Sequence, residues 1–528
     1  DFVSAAHDLD LKVIQDVTPN HSGDVHPFAE EAATYGEASQ YWHYYQSEYI
    51  PHNANGLGDC FTPEGIYYYC GFSERLLNWD WRDLDARRYM TGVYEYWMEE
   101  FGIDGYRYDV YWGPNRKYGE TNMGVPVREA LKHIKPDILL LGEDDGTGAG
   151  TESIYSDQGG GLDAAYDFKT YFNAIRNFSF SSSSVNTLHN ELNNGGYYPG
   201  ENSYYLRFME SQDEDRISYK YNSFVKTMPM ASVILTAPGI PMISNGQEVG
   251  WGKGMGAPGE PDLNDRRRGV IDWEFEGRDL LTPHYQKLAQ IRAQFPAFWQ
   301  HKQDTNYDGN VDDSDESDFD RVGTGNGILY AFLRPYTNSN GLTVVNFSSQ
   351  AQSGTLDLSA QNLKFTNGFS LDSTYWVNNH YTGINVELTG LELQNFTISL
   401  ADYGTAIITI SDNQEMVEIP SLPDIVSVDD QELVQADDFR LHQNYPNPFN
   451  PVTTIRYYLA NPSELELNIY DINGRLVTNL VSSAQSAGYH EITWEGQSST
   501  GLTVETGLYL AQIRAGEFSD VIKMIYLK

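Results

Sequence analysis

The chain has 528 residues, with 34 Lys and Arg against 74 Asp and Glu, and a formal net charge of −40, which argues against a phosphate-binding protein and so against a nucleic-acid partner. Apolar residues at 40 % and aromatics at 13 %, with only 20 % charged, can fill large cores and rule out wholesale disorder, and about 150 residues per domain allows three or four domains. No run approaches the ~18 to 20 apolar residues of a membrane helix, so no membrane span is expected.

From residue 1 to about 300 strands alternate with helices, the pattern of a parallel α/β sheet or barrel. Phe2, Val3 and Ala6 mark a helix over residues 1–11 that runs into a strand at Val13-Ile14. A chain that opens inside a helix, with no Met and no signal peptide, is expected to be truncated at its start. Residues 22–76 are Tyr-rich and irregular, too long for a βα loop, and predict a small inserted subdomain. Within it lie Cys60 and Cys70, the two cysteines of the chain, which either pair locally in an exported protein or remain thiols.

Tyr89, Val93, Tyr94, Trp97 and Phe101 repeat at three and four, predicting a helix ended by Gly102 and followed by a strand over Gly105–Val110. Val127–Ile134 predicts another helix, stopped by Pro136, and the apolar run Ile138–Leu141 a buried parallel strand. Further strands are expected over Leu162–Phe168, Tyr204–Glu210 and Ile240–Ser244.

Beyond Trp299 an acidic insertion (301–324) precedes short alternating strands at Leu329–Leu333, Leu342–Val345 and Ala406–Ile410, which predict an antiparallel β domain over 325–412. Residues 413–439, acidic and with Pro420 and Pro423, read as a linker. Residues 440–528 alternate again, through Ile455, Tyr457 and Leu459 and then Leu465, Leu467 and Ile469, as a second β-sandwich with turns at Asn473-Gly474 and Ser499–Gly501.

Active sites of βα barrels lie at the carboxyl ends of the strands, and four such ends here are polar. The first is Asp16-Val17-Thr18-Pro19-Asn20-His21. In the second, Gly105-Tyr106-Arg107-Tyr108-Asp109-Val110, a period of two puts Arg107 and Asp109 on one face. The cation should keep that carboxylate ionised, as a nucleophile requires. In the third, Leu141-Gly142-Glu143, a Glu follows an apolar strand, where desolvation should raise its pKa as a general acid requires. The fourth, Phe208-Met209-Glu210-Ser211-Gln212-Asp213, ends in another carboxylate with Arg216 nearby.

In this order these segments resemble the four sequence regions of the α-amylase family, glycoside hydrolase family 13. Leu77-Asn78-Trp79-Asp80, Phe101-Gly102-Ile103-Asp104-Gly105, Gly239-Ile240-Pro241 and Gly246-Gln247-Glu248-Val249-Gly250 are similar to further parts of it. The resemblance covers residues 1 to about 410. It implies a (β/α)8 TIM barrel over 1–300 that lacks its first two strands, carries the inserted subdomain 22–76 and is followed by two all-β sandwich domains. It also implies Asp109 as nucleophile, Glu143 as acid/base and Asp213 as the carboxylate that grips sugar hydroxyls. His21, Arg107 and Gln212 would contact the same sugar, and Asp16 would hold Arg107.

The chain departs from the family pattern in two places. It has Ser211-Gln212 where the family usually has Asn-His, which leaves a neutral donor in place of a charge. Val110-Tyr111-Trp112-Gly113 follows Asp109 without the usual Lys-His, a source of aglycone contacts and of a calcium ligand. Asn20 matches a family calcium position and is equally suited to a turn.

A calcium loop is predicted at Asp304–Asp315. Oxygen side chains fall at positions 1, 3, 5, 9 and 12, with Gly309 at the sharp turn and Val311 at position 8. Asp304, Asn306, Asp308 and Asp315 would bind through side chains and Asn310 through its carbonyl. At the other end, Leu441–Pro451 (Leu-His-Gln-Asn-Tyr-Pro-Asn-Pro-Phe-Asn-Pro), Ile469–Arg475 and Gly507-Leu508-Tyr509 resemble a type IX secretion sorting domain over 440–528. That implies export to the medium or the cell surface and the secretion machinery as partner. The expected function is a secreted, retaining α-1,4-glucan hydrolase. The alternatives are a glucanotransferase of the same family, or an inactive glucan-binding surface protein.

Overall fold

The computed structural model describes residues 2–52, 58–147, 151–193, 200, 202–253, 267–300, 318–415, 440–441, 444, 449, 451–459, 461–471, 475–516 and 518–526. The expected calcium ligands Asp304, Asn306, Asp308, Asn310 and Asp315, most of the segment 413–439 and the Asn473-Gly474 turn lie outside the described residues.

The strands of the first half are β1 (Ile14–Val17), β2 (His21–Gly23), β3 (Asp59–Phe61), β4 (Tyr67–Tyr69), β5 (Leu76–Asn78), β6 (Gly105–Tyr108), β7 (Leu139–Asp145), β8 (Ala164–Tyr166), β9 (Tyr204–Phe208) and β10 (Ile240–Met242). Six of them form one open sheet in the order β1-β6-β7-β8-β9-β10, every neighbouring pair parallel. These are six strands of a (β/α)8 barrel. Gly105 lets the sheet close up at β6. A Cβ there would fall 2.5 Å from Ile14 Cγ2 and 2.7 Å from the Leu139 carbonyl oxygen, so a larger residue would push β1 and β7 away.

Helix α1 (Phe2–His7) is shorter than the helix predicted over 1–11. Leu9 and Leu11 are exposed and bury nothing that would extend it. Helices α2 (Pro27–Tyr35), α3 (Leu84–Phe101), α4 (Trp112–Tyr118) and α5 (Gly124–Ile134) follow. Asp83 caps α3 by accepting from the Asp85 and Ala86 amides at 3.0 and 2.8 Å. Gly102 closes the helix in the left-handed region at φ 70°.

The buried stripe of α3 is Ala86, Met90, Tyr94 and Met98. Tyr94 of the predicted repeat belongs to it, and Tyr89 and Val93 pack partly buried against the same core, whereas Trp97 and Phe101 stack on each other at 4.6 Å in partly exposed positions. The sheet makes this choice. Tyr106 and Tyr108 point outward from β6 and meet Tyr94 at 5.3 and 5.7 Å, which turns the helix about that residue.

The inserted segment pairs β2 with β5 and β3 with β4, both antiparallel. A disulfide joins Cys60 to Cys70 across the β3–β4 hairpin. Strand β7 extends beyond the predicted Leu141, so Glu143 sits inside the strand rather than after it. The pairing with β8 slips between Gly142 and Asp145, a local irregularity of the kind that re-aims side chains beside active sites.

Beyond the barrel come β11 (Asp320–Val322), β12 (Leu329–Arg334), β13 (Ser339–Asn346), β14 (Gln352–Leu356), β15 (Thr374–Asn379), β16 (Ile384–Thr389), β17 (Phe396–Leu400) and β18 (Thr405–Ser411). They form a six-stranded sheet, β11-β12-β13-β18-β15-β16, and the pair β14-β17. The helix Thr227–Thr236, buried along its whole length, ties this domain to the barrel. Phe332, Val345 and Ile407 share one apolar cluster with Phe224, Ile234 and Leu288. Thr343 Oγ1 donates to Thr236 Oγ1 at 2.9 Å across the junction.

The last strands are β19 (Arg440–Leu441), β20 (Thr453–Leu459), β21 (Ser463–Asp471), β22 (Leu476–Gln485), β23 (Gly488–Trp494), β24 (Gly507–Ala515) and β25 (Phe518–Tyr526). They make two sheets, β19-β20-β23 and β22-β21-β24-β25. The predicted inward residues Ile455, Tyr457, Leu459, Leu465, Leu467 and Ile469 are all buried between them. Among the described residues no helix is long and apolar enough to cross a membrane.

Candidate active site

The carboxyl ends of β1, β6 and β7 converge on one guanidinium. Arg107 is pointed to the sheet's inner face by the period of two that turns Tyr106 and Tyr108 outward, and its side chain is only 7 % exposed. Its Nη1 donates to Asp16 Oδ1 at 2.9 Å and to Asp109 Oδ1 at 2.6 Å. Nη2 lies 3.0 Å from Glu143 Oε1, an ion-pair contact without hydrogen-bond alignment. Nε points to the Tyr166 hydroxyl at 3.4 Å, and the cation faces that ring. Asp16, on the edge strand, stays largely open to solvent. Asp109 and Glu143 are thus held by the two terminal nitrogens of one rigid fork.

Val110 completes this arrangement. It adopts φ +51°, an outlying conformation for a β-branched residue, and its backbone N–H donates to Glu143 Oε2 at 2.7 Å. Both Glu143 oxygens therefore face donors. Burial nevertheless dominates and, with Asp109 and Asp213 adding repulsion, outweighs Arg107 and the Val110 amide to push the Glu143 carboxyl up to about 7. The carboxyl is protonated over the acidic half of the physiological range, as a proton donor must be. Burial also lowers the pKa of His21 against the opposing pull of Asp109, which favours the neutral ring.

Asp213 follows β9 and lies within electrostatic reach of Glu143, but its partners differ from those expected. Arg216 pairs instead with buried Glu210 at 2.8 Å. The cation on Asp213 is Arg268, whose Nη2 contacts Oδ1 and whose Nε donates to the Gln212 carbonyl at 3.1 Å. Arg267 adds a bond to the Asp213 carbonyl at 2.6 Å. The Gln212 side chain, expected to reach the sugar, donates to Asp213 Oδ2 at 3.0 Å. Asn20 is buried, its side-chain amide bonded to His21 and Asn78.

Tyr166, the Val110 amide, Arg267 and Arg268 escaped the sequence reading. The signal for the arginines was a cationic run, Arg266-Arg267-Arg268, in a chain of net charge −40. Its target carboxylate lies 55 residues away.

Both members of the Arg268–Asp213 pair are about half exposed, so the pair contributes no more than ~1 kcal/mol. Substrate hydroxyls can displace it. Arg268→Ala is therefore expected to lower KM by up to about fivefold with kcat held. A tenfold fall in kcat, measured by initial rates, would show instead that Arg268 acts in the transition state.

Comparison with known proteins identifies the family. The family model for the α-amylase catalytic domain matches residues 1–307, and the model for the FlgD Ig-like domain matches residues 451–517. A maltogenic α-amylase of Bacillus acidopullulyticus is 26 % identical over 300 residues, covering 56 % of this chain and 47 % of its own length. α-Amylase 3 of Dictyoglomus thermophilum is 25 % identical over 334 residues, covering 55 % and 62 %. The chain thus spans about half the length of the curated relatives it matches. The crystal structure of an α-amylase from Geobacillus thermoleovorans complexed with acarbose superposes with a TM-score of 0.58 at 17 % identity, covering 78 % of this chain and 80 % of that one, a likeness of fold. With its catalytic-domain model matched over more than half of the residues, and three matched strand ends meeting at Arg107, the chain belongs to the α-amylase family.

Proposed function

We propose that this chain is a secreted, retaining α-glycoside hydrolase that cleaves α-1,4-glucosidic bonds in starch, glycogen or maltooligosaccharides. The observation that carries this reading is the shared guanidinium. It holds one carboxylate, Asp109, against a cation, and beside it a buried carboxyl, Glu143, kept protonated. A carboxylate paired with a cation, beside a carboxyl whose pKa burial raises, suits a division into nucleophile and acid.

Asp109 attacks the anomeric carbon while Glu143 gives its proton to the leaving oxygen, forming a covalent glycosyl-enzyme and a free chain end. Glu143, now a carboxylate, takes a proton from water. The water oxygen displaces Asp109 from the anomeric carbon, restoring both groups and the starting configuration. Asp213 binds sugar hydroxyls once Arg268 yields them, and His21 and Arg107 donate to the same ring.

We also propose calcium at the Asp304–Asp315 loop, on its oxygen spacing, as an ion that orders the junction between barrel and β domain. The segment 440–528 is proposed as a type IX sorting domain, on the motifs at 441–451, 469–475 and 507–509, and the Cys60–Cys70 bond suits an exported protein.

The test is the full chain on soluble starch, with reducing ends and product anomer followed together. Release of reducing ends with retained configuration is expected. Rearranged chain lengths without new reducing ends would identify a glucanotransferase, and binding without either would identify a surface binder. A chain ending at Asp412 should keep hydrolysis and lose export from its native host. Normal export would overturn the sorting assignment.

A further inference from the structure

Behind His21, the barrel wall meets the inserted segment on a buried polar cluster that the proposed reaction does not use. Its centre is Lys117, from α4, whose side chain is 1 % exposed. The ammonium donates to Gln46 Oε1 at 2.7 Å and to Asp59 Oδ1 at 2.9 Å, and it lies 4.1 Å from the centre of the Tyr69 ring. All three partners belong to the inserted segment. Asp59 is equally buried, and its second oxygen is 3.5 Å from His52 Nδ1.

From Gln46 the bonding runs on to the active site. Asn78 Nδ2 donates to Gln46 Oε1 at 3.2 Å, and Asn20 Nδ2 faces both Asn78 Oδ1 at 3.5 Å and His21 Nδ1 at 3.1 Å. With Nδ1 accepting from Asn20, the His21 proton is on Nε2. The turn itself is pinned by Trp79 N–H to the Asn20 carbonyl at 3.1 Å and by Trp81 Nε1 to the Pro19 carbonyl at 2.8 Å. Gly113 packs directly on Asn20, since a Cβ there would sit 2.5 Å from Asn20 Oδ1.

Asn20 matches the family's calcium position, but the residues around it do not fit that ion. Calcium takes six to eight oxygens at about 2.3 to 2.6 Å. Here the oxygens of Gln46 and Asp59 already accept from an ammonium, and Asn20 turns its amide nitrogen toward His21. A divalent ion among them would sit against a buried positive charge that water cannot screen. We propose that the Lys117 ammonium takes the place of a metal ion at this junction, holding Gln46 and Asp59 of the inserted segment on the barrel and, through Asn78 and Asn20, setting the orientation of His21. Lys117 is a positioning residue. Its link to His21 bears on catalysis only through the function proposed above, whereas the cation lock itself does not depend on it.

The test is run on the full chain carrying Asp304→Ala and Asp308→Ala, which removes the acidic-loop candidate, and it reads thermal unfolding, so it decides even if the chain hydrolyses nothing. Tm in EDTA and in millimolar calcium should agree within about 1 °C, because mass action gives no shift without a site. A calcium-dependent rise that Asn20→Ala abolishes would overturn the proposal. Lys117→Met should lower Tm by about 5 to 10 °C by stranding the Asp59 carboxylate, and adding Asp59→Asn should restore much of that. An unchanged Tm in Lys117→Met would overturn the lock.

In 15N spectra of imidazole-labelled protein, Lys117→Met should move the His21 ring signals and leave those of His284 and His380 in place. Unmoved His21 signals would overturn the positioning role. Should Lys117→Met fail to fold, Asn78→Ala supplies the same spectroscopic test, and the calcium comparison stands by itself.

Discussion

Replacing Asp109 with Asn should lower kcat on soluble starch by at least ~10³-fold, the largest single loss expected in the chain. The amide is close in size and keeps an oxygen for Arg107 Nη1, which now sits 2.6 Å from Asp109 Oδ1, so folding and substrate binding should survive. What disappears is the carboxylate oxygen proposed to attack the anomeric carbon, and neither of the other two proposed catalytic carboxyls is placed to take over. Glu143 is pushed up to about 7 by burial, and Asp213 is engaged by Arg268 and Gln212. KM should stay within about threefold, since the missing interaction forms only as the new bond does. Initial rates with matched unfolding curves check this. Turnover near that of the parent chain would remove Asp109 from the nucleophile position.

Glu143→Gln is the second large effect, expected at ~10²- to 10⁴-fold in kcat for unactivated glucans and much less for aryl glycosides whose leaving group needs no proton. The parent chain should lose activity as pH rises through about 7, where the acid gives up its proton, and the variant's residual rate should lack that limb. Stability supplies an independent check. The folded pKa lies above the usual 4.5, so the folded chain holds a proton that the unfolded chain has released, and the Glu143 contribution falls as pH rises from about 4.5 to 7. By ~1.4 kcal/mol per unit this is on the order of 3 kcal/mol at most. Glu143→Gln should therefore be more stable than the parent at pH 8 and equal to it at pH 4. Glu120, which burial also pushes up to about 7, titrates in both proteins and cancels. A variant that is less stable at pH 8 would mean that the Arg107 and Val110 contacts outweigh burial at this position.

Local patterns in the sequence determined much of this molecule. Alternation places Arg107 and Asp109 on one face of β6, and apolar runs that end in polar residues mark the strand ends where Asp16, Asp109, Glu143 and Asp213 cluster. Binary alternation alone assigns Ile455, Tyr457 and Leu459 to the core of the last domain. These features need only a period and a boundary, and both are written into neighbouring residues.

The tertiary structure decided what depends on distant partners and on water. It turned α3 so that Tyr94 is buried and Trp97 left partly exposed, because the outward tyrosines of β6 stand opposite Tyr94. The pairing of β7 with β8 set Glu143 inside a strand that slips, and the Val110 amide turned toward it from a left-handed residue. Arg268 reached Asp213 from 55 residues away and Lys117 reached Asp59 from 58. Such pairs form where folding brings distant charges together, and desolvation strengthens the buried Lys117–Asp59 pair while water screens the exposed Arg268–Asp213 pair, a difference of surroundings that no stretch of neighbouring residues specifies.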